Sequence, residues 1–301
     1  MKKAMIGLVA AAALGLGMGS ASAADPVTLQ LKWVTQAQFA GYYVAKDKGF
    51  YTDENLDVTI KPGGPDIAPE QVIAGGGADV IVDWMGPKST GITKEADFKG
   101  KTLGVWFFGN EYPFYAWMNK IGMPTEGGAD GVTVIKQSFD VQPLIQKQAD
   151  CISVMTYNEL GQALDAGFKL DDLTVFNYTE MGNDMLEDGL YVLEDKLKDK
   201  AFFDKMTRFV KASMKGWDYA REHPEEAAQI VINNDDTGAQ TLAHQQYMIK
   251  EVDKLTEGSN GVLDPAAFDR TAKMVLDQKI ITKQPEGAWT HDVTDAAGFK
   301  Q

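Results

Sequence analysis

The sequence predicts an α/β fold of two lobes with a ligand cleft between them and a helical C-terminal tail. Three observations carry that expectation. Short runs rich in Val, Ile and aromatic residues alternate with segments of helical spacing as far as residue 177. Those runs fall into two clusters, 27–84 and 102–177, and strand-like patterns vanish after about residue 200. Alternation at this interval gives parallel βαβ units whose strands are buried on both faces. Ligands on such sheets bind beyond the strand C-termini.

The elements follow in order. Lys2 and Lys3 precede an apolar run over 4–18, and Ala21-Ser22-Ala23 forms an A-x-A cleavage site, so residues 1–23 read as a cleavable export leader. The run is shorter than the ~20 residues a spanning helix needs. Strands are expected at 27–33, 56–60, 79–84, 102–107, 131–136, 149–155 and 173–177. Between them, a helix after Phe39 closes at Gly49, a second runs over 69–73 into Gly75-Gly76-Gly77, and a third covers 141–148. In the tail, Phe202, Met206, Phe209, Met214 and Trp217 recur at helical spacing and read as core; His223-Pro224 ends that helix. A further helix over 239–257 stops at Gly258, and Asp264-Pro265 supplies an N-cap and a first-turn proline for the last. The expected lobes are 24–90 with 190–301, and 91–189.

Composition narrows the function. Without the leader, 27 basic residues face 43 acidic ones, a net charge of −16 that repels nucleic acid and anionic membranes. The single cysteine, Cys151, excludes a disulfide within the chain, so about 278 mature residues must be held by a hydrophobic core. His223, His244 and His291 have no partners at metal-ligand spacing, and no G-x-S-x-G elbow is present. Gly86-Pro87-Lys88-Ser89-Thr90 lacks the upstream glycine and the Gly-Lys pair of a phosphate loop and reads as a linker. No metal, cofactor or catalytic residue is expected.

Four loops at strand ends combine aromatic rings with amides or carboxylates. They are 33–39 with Trp33, Gln36, Gln38 and Phe39; 83–85 with Asp83 and Trp84; 108–114 with Gly109, Asn110 and Glu111; and 156–159 with Tyr157, Asn158 and Glu159. Together they suit a flat, polar ligand: rings stack on its faces, at ~1 to 3 kcal/mol each by analogy with nucleobases, and amides or carboxylates bind its edge. Trp33 and Phe39 are candidate walls, Gln36 and Gln38 candidate polar contacts.

The runs LKWVTQAQFAGYYVAKDKGFY, GGGADVIVDWM, KGKTLGVWFFGNEYPF and ADCISVMTYNE resemble the NMT1/THI5-like substrate-binding proteins of bacterial ABC importers, near those that capture pyrimidine precursors of thiamine. The resemblance implies a type II periplasmic binding protein: a soluble periplasmic monomer that closes on its ligand and delivers it to an inner-membrane permease. It also implies that Trp33 and Tyr157 or Trp84 stack on the ring, that Glu159 and Asp83 bind its amine edge, and that Gly109 and Asn110 open a helix whose amides hold a substituent. Glu159 alternatively serves as a helix-start carboxylate. Another solute, such as a sulfonate, nitrate or riboflavin precursor, is the competing reading. A pyrimidine synthase of fungal type is disfavoured because the α/β half holds no histidine. One departure stands out: only the 17 residues 85–101 separate two expected strands, too few for a full βαβ unit. Either the hinge is abbreviated or the first sheet lacks a strand.

Overall fold

The computed structural model describes residues 23–64, 66–83, 88–90, 94–107, 110–138, 140–182 and 185–300. Strand β1 (Asp25–Gln30) buries Val27 and Leu29, and a short 3-10 turn (Ala37–Phe39) leads into α1 (Ala40–Asp47). Gly49, at φ 75°, ends α1 as expected, because that left-handed conformation suits a residue without Cβ. After the single turn α2 (Phe50–Asp53), β2 (Leu56–Lys61) pairs parallel with β1 from Asp25↔Leu56 to Gln30↔Lys61. Helix α3 (Pro69–Ala74) opens on its proline and closes through Gly75 and Gly76, confirming the triple glycine as a C-cap. Strand β3 (Val80–Asp83) then joins the other edge of β1.

The expected linker is a strand. β4 (Lys88–Thr90) belongs to the second sheet, so the chain has already crossed before residue 90, earlier than the expected boundary at 90/91. β5 (Thr102–Val105), α4 (Tyr112–Lys120), β6 (Thr133–Lys136), α5 (Gln142–Ile145), β7 (Cys151–Val154), α6 (Glu159–Asp165) and the two-residue β8 (Val175–Phe176) complete that lobe. Its strand order is β6-β5-β7-β4-β8, with β5 parallel to β6 and β7, and β4 antiparallel to β7 and β8. The chain then returns as β9 (Gly189–Tyr191), antiparallel to β3, to give a first sheet ordered β2-β1-β3-β9. The two crossings therefore pair antiparallel on both sides of the gap: β3 with β9 in one lobe, β4 with β8 in the other. Among the described residues, the short stretch over 85–101 carries the first crossing strand, and the first sheet has four strands. The helix expected over 141–148 shrinks to α5, because Lys147 turns to φ 56°.

The tail is helical after α7 (Glu194–Leu197). α8 (Lys200–Glu222) is capped by Asp199, whose carboxylate accepts the Phe202 N–H at 2.9 Å, and stops before Pro224, where α9 (Pro224–Asn233) begins. α8 lies closely on α1: a Cβ on Gly216 would sit 2.1 Å from the Gly41 carbonyl oxygen, and one on Gly41 would strike the Trp217 ring. Phe209 is fully buried and stacks on Tyr51 at 5.4 Å, while Trp217 and Phe202 are half-buried against the same core. α10 (Leu242–Thr256), α11 (Pro265–Asp277) and α12 (Asp292–Ala297) follow, with Asp264 capping α11 as expected through the Ala266 N–H. The tail is not confined to the first lobe. α12 rests on α8, but α11 meets α4 and α10 meets α6, both in the second lobe.

Candidate functional site

The first-lobe loop is fixed by its own polar groups. Gln30 donates from Nε2 to the Leu31 and Pro62 carbonyls at 2.9 and 3.1 Å, and Gly63 N–H donates to the Trp33 carbonyl at 2.7 Å. These bonds set Trp33 just beyond β1. Gln36 Nε2 donates to Gln38 Oε1 at 2.6 Å, and Gln38 Nε2 donates to both oxygens of Asp188 at 3.1 Å. Thr35 pairs its hydroxyl with that of Tyr43 at 2.9 Å, and Ala37 N–H donates to Gln245 Oε1 at 2.6 Å. The two glutamines, expected as ligand contacts, thus form a relay tying the loop to Asp188, the residue before β9.

The second lobe contributes two loops. Trp106 follows β5 directly and donates its indole N–H to the Ser138 carbonyl at 2.9 Å. Asn110 is buried; its Nδ2 donates to the Phe107 carbonyl at 3.1 Å, while its Oδ1 has no partner. Glu111 is the N-cap of α4, which starts at Tyr112 with Pro113 in its first turn. Asn110 therefore precedes the helix instead of opening it, which corrects the expected start at 109–110. Trp84 and Gly109 lie outside the described residues, as does the side chain of Asp83, whose backbone pairs with Gly189.

Beyond β7, Glu159 is buried and its oxygens accept from its own loop: Oε2 from the Met155 N–H at 3.0 Å, Oε1 from Asn158 Nδ2 at 2.9 Å. Burial pushes its carboxyl up to about 7 against those hydrogen bonds, which act to lower it. Asn158 Oδ1 in turn accepts from Gln162 Nε2 at 3.2 Å and pairs with His244 Nε2 at 2.9 Å. Tyr157 is buried with no partner for its hydroxyl; burial, then the Asp188, Glu187 and Glu159 carboxylates, hold its phenol well above the usual range.

These loops meet. Trp33, Phe39, Tyr42, Tyr43 and Val82 from the first lobe share one buried cluster with Trp106, Met155 and Tyr157 from the second. The other second-lobe cores, one around Trp117 and one around Ile152, are separate. Contact between lobes at this cluster thus runs through residues just past the ends of β1, β5 and β7. Trp106, Met155 and Asp188 were missed from the sequence. Trp106 had a signal, a tryptophan directly after the short strand-like run Thr102–Val105; Asp188 had none, since only the return crossing brings it here. An open polar depression of about 390 Å³ lined by Asn119, Lys120, Asp277, Gln278 and Lys279 shares no residue with this cluster.

Similarity to solved structures spans nearly the whole chain. A protein from Bordetella bronchiseptica RB50 superposes with TM-score 0.63 at 18% identity, covering 91% of this chain and 97% of that one. The periplasmic aliphatic sulphonate-binding protein SsuA of Escherichia coli gives 0.60 at 11% identity over 86% and 89%. The periplasmic nitrate-binding protein NrtA of Synechocystis PCC 6803 gives 0.59 at 12% over 91% and 86%. At such identities the likeness establishes the fold, that of a two-lobed type II periplasmic binding protein. No curated protein sequence matches the chain. The NMT1/THI5-like family model matches residues 36–86 and 81–227, well over half of the sequence and all of the loops that build the shared cluster except Trp33. The chain belongs to the NMT1/THI5-like family.

Proposed function

We propose that this protein is the solute-binding component of an ABC importer, exported to the periplasm, and that it captures a pyrimidine precursor of thiamine for an inner-membrane permease. The observation that carries the reading is the shared aromatic cluster, with Trp33, Trp106 and Tyr157 drawn from both lobes beside the Asp188 carboxylate and the unpaired Tyr157 hydroxyl. Rings suit the faces of a flat heterocycle, and acidic groups suit its amine edge. In this reading Trp33 and Trp84 stack on the ring, Asn110 Oδ1 and the Tyr157 hydroxyl bond its edge, and Gln36, Gln38 and Glu159 hold the loops in shape. Asp83, Gly109 and Glu111 remain proposed contacts of the same cleft. The role is binding and not catalysis.

A second reading, an anionic solute, is favoured by one observation: Lys32 is buried in the same loop as Trp33. A thermal-shift panel of hydroxymethylpyrimidine, its formylaminopyrimidine relative, thiamine, riboflavin, taurine and nitrate separates the two. A ligand present at a hundred times its Kd stabilises by about 2.7 kcal/mol. A dose-dependent rise in melting temperature with a pyrimidine is expected; a rise with taurine or nitrate and none with any pyrimidine overturns the choice.

A further inference from the structure

The helix α10 carries an unusual buried stripe. Met248, Ile249 and Val252 are apolar, as a core-facing stripe should be, but one turn earlier the buried positions are His244 and Gln245. Buried polar side chains are retained where they bond specific partners. Gln245, fully buried, accepts the Ala37 N–H of the first-lobe loop at 2.6 Å and is itself held by donating to Gln240 Oε1 at 2.7 Å. Its neighbour His244 reaches the other lobe, pairing Nε2 with Asn158 Oδ1 at 2.9 Å. One turn on, Tyr247 donates its hydroxyl to the Thr156 carbonyl at 2.7 Å. The Tyr247 ring lies so close to α6 that a Cβ on Gly161 would stand 2.3 Å from it.

We propose that the first two turns of α10 form an interlobe clasp, in which Gln245 anchors the first-lobe loop while His244 and Tyr247 hold the 156–159 loop of the second lobe in the closed arrangement. These three are positioning residues: their polar groups bond the loops, and the Tyr247 ring also packs against the shared cluster. The assignment goes beyond the choice of solute, and it stands or falls without any ligand.

The proton on His244 has a defined place. Asn158 Nδ2 donates to Glu159 and Gln162 Nε2 donates to Asn158 Oδ1, so that oxygen is an acceptor and His244 Nε2 carries the hydrogen. Its Nδ1 faces the Asp165 carboxylate at 3.5 Å without forming a hydrogen bond. The groups around the imidazole are Asp165, Gln162, Asn158 and Glu159 from the α6 side and Tyr247 on its own helix, stacked at 6.0 Å. Burial lowers the His244 pKa from 6.5 and outweighs Asp165, which raises it. A depressed value favours the neutral form in the clasped state, so clasping weakens as pH falls below 6.5.

The test uses the full mature chain without ligand, spin-labelled at Asp57→Cys on the first lobe and Asp171→Cys on the second, both exposed, with buried Cys151 left unlabelled. Pulsed dipolar spectroscopy reads the interlobe distance at pH 8 and pH 5. Tyr247→Phe, which removes one hydroxyl and keeps the packing on Gly161, should raise the ratio of open to closed forms about fivefold, the worth of one net hydrogen bond. His244→Ala should do at least as much, and His244→Gln, which keeps an N–H donor, should restore closure and abolish its pH dependence. Distance distributions unchanged from the parent in both Tyr247→Phe and His244→Ala overturn the proposal. So does a parent protein equally closed at both pH values whose His244→Gln variant opens as far as His244→Ala.

Discussion

The two sides of the site are built on opposite principles. In the first-lobe loop the polar groups are spent on one another: Gln36 on Gln38, Gln38 on Asp188, Thr35 on Tyr43, the Ala37 amide on Gln245. In the second lobe three buried polar atoms, Asn110 Oδ1 and the hydroxyls of Tyr157 and Tyr178, have no partner among the described residues, and the first two lie on the loops of the site. A satisfied loop is a rigid wall that pays its ordering cost during folding. An unsatisfied buried group costs about 1 to 3 kcal/mol until something bonds it, so the second lobe holds stored binding capacity. The contrast teaches that loops of similar composition, aromatic residues beside amides, serve different ends once their hydrogen bonds are traced.

The most damaging way to break the contrast is to remove the wall. Trp33→Ala should destabilise the fold by about 3 to 5 kcal/mol, the usual cost of deleting a buried aromatic ring, and abolish the pyrimidine-dependent thermal shift; urea titration gives the first quantity directly. A pH series addresses the second lobe's carboxylate. Because the folded pKa of Glu159 is raised from 4.5 to about 7, the native state binds the extra proton, and stability contributed by this group is full below pH 4.5 and lost as pH rises through 7. The loss should approach about 3 kcal/mol, and Glu159→Gln should flatten that window; a variant as steep as the parent would place the titration elsewhere.

Smaller effects sharpen the same comparison. Gln38→Leu strips the donor from both Asp188 oxygens and should cost about 1 to 3 kcal/mol of folding stability, with denaturation midpoints falling while the secondary structure persists. Tyr157→Phe should do the reverse. Its hydroxyl is unpaired in the folded chain, so the melting temperature should hold or rise slightly, whereas titration calorimetry with hydroxymethylpyrimidine should show affinity about fivefold weaker. Equal stability losses in Gln38→Leu and Tyr157→Phe would erase the distinction between wall and binding face.

Much of this architecture was legible in the residues. Strands such as β1 and β7 announce themselves through closely spaced apolar residues, Val27 and Leu29 in one and Cys151, Ile152 and Val154 in the other, and the caps at Gly49, Gly75 to Gly77, Asp264 and Pro224 stand where glycine, aspartate and proline must stand. The crossing strands were not legible: Lys88-Ser89-Thr90 and Gly189-Leu190-Tyr191 are three residues each, and their pairing is a tertiary event that no local propensity encodes. Trp33 and Tyr157 could be found because they follow strand ends, and the structure places both in the shared cluster. Gln36 and Gln38 read as ligand contacts in the sequence, and their bonds to each other and to Asp188 were not legible there, because an amide bonds a ligand or a neighbouring carboxylate equally well. His244 and Gln245 were passed over as tail residues with no metal partner; their place in the buried stripe of α10 was the signal available.

Asp188 holds one more consequence. Its backbone sits at φ 58°, a twist that side-chain-bearing residues rarely adopt, at the point where the chain re-enters the first sheet. Its charge is felt by the phenols of Tyr42 in one lobe and Tyr157 in the other. At the re-entry point, one carboxylate thus lies within electrostatic reach of a buried phenol from each half of the molecule.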